Sequence, residues 1–285
     1  MARRWKAQLG VVLLVLAVVF AGMRRFAFMQ VERSGLIVVP DGPETPATFG
    51  APFERFSVAS GDRKLDATLV RAAQDTAPAL LVFHGTAEAV SYWADVQALL
   101  YRHGVTSMVF DYSGFGRSTG RATAAHLEED ADSAYADFVR RVGARARRYV
   151  LGYSLGTGVV FDAVPRFTPP PNGVIFVASY SSAREGAVAF GLIPRWATFL
   201  LPDLWNNVRD TRNLRQPLLV MQSDSDELFP VSMAKAVYDA ATVPKQMVVL
   251  HGFTHDAGHA RPTDDYWAPV VRFMTGARSV EGSNE

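Results

Sequence analysis

Cysteine is absent from all 285 residues, which removes disulfides, a thiolate nucleophile and Cys-ligated metal sites together. The absence leaves the compartment open, because such a chain is at ease in oxidising and reducing surroundings alike. An excess of one charge is missing too: 29 basic against 28 acidic residues give a formal net charge of +1. No polyanion-binding surface is expected, and nucleic acid is excluded as a partner. Internal repeats and low-complexity tracts are lacking as well. Hydrophobic residues, by contrast, make up 49% of the chain. That is ample for one large α/β domain of roughly 250 residues behind an N-terminal extension.

The extension carries the longest apolar run. Ala7 to Met23 is apolar apart from Gln8, with Arg3, Arg4 and Lys6 before it and Arg24 and Arg25 after it. Its Leu, Val and Phe residues favour membrane insertion by roughly 3 to 6 kcal/mol. As a helix the run reaches roughly 25 Å, the short end of what a bilayer needs. The expectation is a single-pass anchor within residues 1–29. The rival is a signal peptide cut after Val19 and Ala21, which would make the protein secreted or periplasmic; Arg24 and Arg25 so close behind the cut argue against it. A third reading is a buried core helix. Basic residues flank both ends, so charge assigns no orientation to the catalytic domain. Residues 30–52, with Pro40, Pro43, Pro46 and Pro52, read as a connector holding one short strand, Leu36 to Val39.

Strand and helix signals then alternate over 53–276. Phe53 to Ala59 and Leu65 to Arg71 form an expected antiparallel pair turned at Ser60-Gly61-Asp62. Ala79 to Phe83, Thr106 to Phe110, Tyr149 to Leu151, Val174 to Val177, Leu218 to Met221 and Met247 to Leu250 are short continuous apolar runs, as buried parallel strands are. Helical patterns at Tyr92 to His103 and Leu127 to Val142 lie between them, the second with early acids and late arginines that match the helix dipole. This alternation predicts a mostly parallel sheet covered by helices on both faces. Between 183 and 215 the pattern loosens around Pro194 and Pro202, and a small helical lid is expected. Its Trp196, Phe199, Leu200, Leu201, Leu204 and Trp205 fit an acyl pocket and an ordinary core equally well. Residues 277–285 read as a tail.

The chemistry centres on Gly152-Tyr153-Ser154-Leu155-Gly156, between an apolar strand and a helical stretch. Glycines on either side of a serine permit the sharp bend of a nucleophile elbow. The pattern arises by chance about once in ten chains of this length, so its surroundings must decide. A serine nucleophile needs an acid and then a base, in that chain order, from loops at the carboxyl ends of later strands. Asp224 and Asp226 follow Leu218 to Met221, and Asp226 is preferred because the Asp-Glu-x-x-Pro run leads into a helix near Val231. His251, His255 and His259 lie at or beyond Leu250, and His255 is preferred as the base. The i, i+4 spacing of His255 and His259 is that of metal sites, but Gly258 breaks the helix such a site needs, and no metal is expected. The oxyanion hole calls for two backbone N–H groups: Leu155, after the nucleophile, and Thr86, on the loop His84-Gly85-Thr86-Ala87. His84 is read as a brace at the strand end. No cofactor is expected.

His84-Gly85, the run Asp111 to Ser118, Gly152 to Gly156, Asp226 to Pro230 and Gly252 to His255 together resemble the α/β-hydrolase superfamily over about residues 50–275. More narrowly, they are similar to its membrane-anchored serine-hydrolase branch, the alpha/beta hydrolase domain-containing proteins. The resemblance implies an α/β-hydrolase fold and a Ser154-Asp226-His255 triad. It implies action on esters, thioesters or lipids, and a structural-turn role for the run from Asp111. Ser223 and Ser225 depart from it, since a glycine is common before the acid, and the choice between Asp224 and Asp226 stays open. An amide hydrolase or acyltransferase with the same triad, and a non-catalytic binding scaffold on the same fold, are the rival readings.

Overall fold

The computed structural model describes residues 2–276, with side chains from Gln8 onward; the expected tail lies outside the described residues. Helix α1 spans Ala2–Gly35 without a break. Its stretch from Gln8 is long and apolar enough to cross a membrane, with a mean hydropathy of 2.2 over its best window and none of that window buried in protein. The helix outlasts the apolar run because its last turns have somewhere to pack. Ala27 and Val31, four residues apart and so on one face, meet Ala187, Ile193, Ala197 and Leu201, while Phe28 reaches the main core.

Residues Leu36 to Val39 form no strand, contrary to the reading of the sequence. Their backbone is tied to loops instead. Ile37 N–H donates to Thr86 Oγ1 at 2.7 Å, its carbonyl accepts from Ala87 N–H at 2.8 Å, and Val39 O accepts from Gly116 N–H at 3.2 Å.

Eight strands follow: β1 Glu54–Ser60, β2 Arg63–Val70, β3 Ala79–Phe83, β4 Thr106–Phe110, β5 Arg148–Tyr153, β6 Gly173–Val177, β7 Leu218–Ser223 and β8 Lys245–Leu250. They join in the order β1-β2-β4-β3-β5-β6-β7-β8. β2 runs antiparallel to both its neighbours, and every other pairing is parallel. The connecting helices are α2 Ala94–Arg102, α3 Ala124–Val142, α4 Leu155–Ala163, α5 Ala183–Ala189, α6 Asn207–Thr211, α7 Val231–Ala240, α8 Ala257–Ala260 and α9 Asp264–Thr275. β3 shows why the strands read as unbroken apolar runs. Leu81 and Phe83 face the core with α3, α4 and α7, while Leu80 and Val82 face the core with α2 and α9. Both faces are covered, so no polar alternation survives.

The connection from β5 to α4 is a single residue, Ser154. A Cβ on Gly152 would lie 2.7 Å from Gly156 O and Thr157 Cα, and one on Gly156 would lie 1.9 Å from Phe83 O. Both obstacles are backbone and cannot rotate away. Gly156→Ala is therefore expected to destabilise the fold by about 3 kcal/mol or more, the upper end of overpacking costs. A thermal melt checks this, and an unchanged melting temperature would show that the sheet can yield here.

Between β6 and β7 lie α5, a 3₁₀ turn at Arg195–Leu200, and α6. Trp205 Nε1 donates to Glu128 Oε1 at 3.1 Å and ties this segment to α3.

Candidate active site

Ser154 sits between β5 and α4 at φ 50°, ψ −116°, a left-handed conformation that costs a non-glycine residue of order 1–3 kcal/mol. Neighbouring backbone holds it there: Ser154 N–H donates to Val177 O at 3.0 Å, and Ser154 O accepts from Thr157 N–H at 3.0 Å and from Thr157 Oγ1 at 2.7 Å.

His255 comes from the loop after β8. Its Nε2 lies 2.9 Å from Ser154 Oγ and its Nδ1 2.9 Å from Asp226 Oδ2. An ionised carboxylate can only accept, so Nδ1 carries the proton and Nε2 presents its lone pair to the serine. The loop is pinned on both sides. His255 N–H donates to Glu227 Oε2 at 3.0 Å, Tyr153 Oη donates to His255 O, and the ring packs edge-on to Phe229.

The Asp226 carboxylate is almost wholly buried. Its Oδ1 accepts from Leu228 N–H at 2.9 Å and Phe229 N–H at 2.8 Å, and its Oδ2 accepts from Gln222 Nε2 at 2.8 Å besides His255. Burial opposes its charge, but the bond to His255 and the two amides outweigh that, and its pKa falls below the ordinary value.

Asp224 and His251 arise from the same two loops and face solvent. Asp224 Oδ2 pairs with His251 Nδ1 at 2.6 Å, and Oδ1 accepts from Gly252 N–H at 3.0 Å. The bond to His251 is the main cause that lowers Asp224 to about 2. The two loops thus carry two Asp–His pairs side by side, and Ser154 is bonded to the inner one.

His259 turns away from His255 and packs among Trp93 and Tyr153, with Nε2 3.3 Å from Glu88 Oε1. Among the described residues no three His, Asp or Glu side chains converge as a metal-ligand set. Glu88 was not singled out from the sequence, although a lone acid in the run Ala87-Glu88-Ala89-Val90 is a signal. Its Oε2 accepts from Gly85 N–H at 3.0 Å and Trp93 Nε1 at 2.8 Å, so it underlies the loop that carries Thr86. Burial would raise its pKa, but the charge of His259 leads the effects that bring it down to about 2.

His84 is fully buried, its Nδ1 2.7 Å from Gly85 O and its Nε2 3.4 Å from Asp111 Oδ1. Burial is the largest influence and lowers its pKa, but the Asp111 carboxylate, the charge of Glu88 and the Gly85 carbonyl together more than reverse this.

Thr86 and Leu155 both line the cavity into which Ser154 opens. Thr86 Oγ1 donates to Gly35 O at 2.7 Å and accepts from Ile37 N–H, which fixes its loop to the end of α1. Leu155 is the first residue of α4, where N–H groups have no partner within the helix. Apart from Glu32, Arg184 and the Thr86 and Ser154 hydroxyls the cavity wall is mostly apolar, and two segments supply most of it. Phe190, Leu204 and Trp205 come from the segment between β6 and β7, and Phe28, Val31 and Leu36 from α1 and the residue after it. Nothing in the sequence signalled that α1 walls the cavity that holds Ser154. Trp196 and Phe199 do not line the cavity and are exposed.

Strand order, elbow and loop positions define an α/β hydrolase. The family model described as serine aminopeptidase, S33 matches residues 74–216, and the chain belongs to that family. An uncharacterized protein of Mycobacterium tuberculosis is 29% identical over 252 residues, covering 86% of this chain and 87% of that protein. The lysophosphatidylserine lipase ABHD12 of Danio rerio is 26% identical over 191 residues, 61% of this chain and 50% of its own length; this chain thus matches about half of that lipase. Among solved structures, an esterase of Pyrococcus furiosus superposes with a TM-score of 0.63 at 18% identity, covering 84% of this chain and 97% of the esterase. At that identity the likeness speaks for the fold alone.

Proposed function

We propose that this hydrolase cleaves carboxylic esters or thioesters with lipid-like acyl groups through an acyl-enzyme on Ser154, while α1 anchors it to a membrane. The observation that carries the reading is the relay of two 2.9 Å contacts, Ser154 to His255 to Asp226, at the wall of an apolar cavity. His255 Nε2 takes the proton of Ser154 Oγ as the oxygen attacks the substrate carbonyl carbon. Asp226 holds the ring in the required tautomer and stabilises the imidazolium that forms. The amides of Thr86 and Leu155 receive the developing oxyanion. Collapse breaks the bond to the leaving alcohol or thiol, which takes the proton from His255. Water then gives a proton to His255 and attacks the acyl carbon, and the acid departs as Ser154 recovers its hydrogen.

The test is a panel of p-nitrophenyl esters of rising chain length, with aminoacyl amides of the same leaving-group type beside it. Each buried methylene contributes about 0.8 kcal/mol, so kcat/KM is expected to rise about tenfold per two carbons until the cavity is filled. A flat profile removes the lipid-like substrate, and faster turnover of aminoacyl amides replaces it with a peptidase.

A further inference from the structure

The turn Arg195–Leu200 lies against α1 at a telling height. The ring of Phe199 stacks on that of Phe20, with centroids 6.3 Å apart and planes within 8°. Phe20 belongs to the apolar run and stands three residues before Met23, about 4.5 Å inside its end at the rise of an α-helix. A helix seated in a bilayer through that run brings Phe199 to the same depth. On the outer side of the turn Trp196 is 77% exposed and Phe199 54% exposed, in an aqueous setting an unfavourable display of two large rings.

The backbone is prepared for the same setting. Carbonyls at lipid depth need partners from within the protein, and three consecutive ones have them. Leu200 O accepts from Arg24 Nε at 3.4 Å, Leu201 O from Arg184 Nη2 at 2.7 Å, and Pro202 O from Arg184 Nε at 3.3 Å. Arg24 stands just beyond the apolar run, where a long cationic side chain reaches from the hydrocarbon edge toward water.

We propose that α1 and the turn Arg195–Leu200 form one bilayer-seated surface, with Trp196 and Phe199 in the interfacial layer. The cavity then opens at the membrane, between its α1 wall and its lid wall, and takes acyl esters from the lipid phase. The entry route rests on the hydrolase reading above; the seating does not.

The cysteine-free chain permits a direct test. Trp196→Cys in the full-length protein is labelled with an environment-sensitive nitrobenzoxadiazole dye and reconstituted in phosphatidylcholine vesicles. Asp62→Cys, in the exposed β1–β2 turn, is the control. Emission at position 196 is expected to shift to the blue and to be quenched by lipids spin-labelled near the headgroup, while position 62 changes little. A water-like, unquenched label at 196 overturns the seating. So does a blue shift that lipid quenchers leave untouched and protein dilution abolishes, which identifies a second copy as the cover.

For the route, Trp196→Glu combined with Phe199→Glu is expected to slow hydrolysis of a long-chain ester embedded in vesicles about tenfold, with a short soluble ester within about twofold, since charge is costly only at lipid depth. Equal loss on both substrates overturns lateral entry. If the unmodified protein hydrolyses neither ester, the hydrolase reading fails, and the label still decides the seating.

Discussion

Ser154→Ala is expected to reduce ester turnover by about 10⁴- to 10⁶-fold and to abolish labelling by a fluorophosphonate, a reagent that captures an activated serine oxygen. The substitution isolates chemistry from folding. It keeps the Cβ already accommodated at the elbow and removes one oxygen whose hydrogen-bond partner is His255 Nε2. The backbone bonds that hold the strained conformation, to Val177 O and from Thr157, are untouched. Thermal stability should therefore stay within about 1 kcal/mol of the parent, as for most single changes that spare packing. Labelling that persists in this variant would move the nucleophile elsewhere.

Asp226→Asn is expected to lower kcat by about 10⁴-fold, while Asp224→Asn leaves it within about twofold. The carboxylate at 226 accepts the Nδ1 proton of His255. A carboxamide whose NH₂ replaces that oxygen would donate instead, push the proton to Nε2, and leave Ser154 facing a donor rather than a base. Asp224 is bonded to His251 at the surface, so its loss reaches Ser154 only through the shared loop. Stopped-flow measurement of the acylation burst checks both variants on one assay. A comparable loss in Asp224→Asn would dissolve the distinction between the inner and outer pairs.

Much of the sheet could be read in advance because burial on both faces leaves unbroken apolar runs. β3 and β4 coincide with the runs Ala79 to Phe83 and Thr106 to Phe110. The elbow was legible for a different reason: Gly152 and Gly156 are demanded by backbone contacts that no side chain can share. The sequence also sets an acid before a base in the chain, and prefers Asp226 to Asp224 only on the Asp-Glu-x-x-Pro run that leads into α7. Asp224 and Asp226 are two residues apart on one loop, and only the loop's path turns one inward to Gln222 and the amides of Leu228 and Phe229.

Two features left no local trace. α1 continues to Gly35 because of residues far along the chain, Ala187, Ala197 and Leu201, and a connector rich in prolines hides such partners. The six large residues of the lid segment read as one group, yet Leu201, Leu204 and Trp205 line the cavity whereas Trp196 and Phe199 point outward. A 3₁₀ turn between two prolines has no period from which to assign an inner and an outer face.

Phe28, Val31 and Gly35 belong to the helix that carries the apolar run, and they also line the cavity beside Ser154. The apolar helix and the cavity wall are therefore one piece. A fragment trimmed to begin at the first strand would have one side of this cavity torn away, with Leu204 and Trp205 bared to water. On the proposed function, a cut between α1 and the first strand is expected to silence the protein rather than release an active soluble form, and any shortened version prepared for the bench must keep the helix from Phe28 onward.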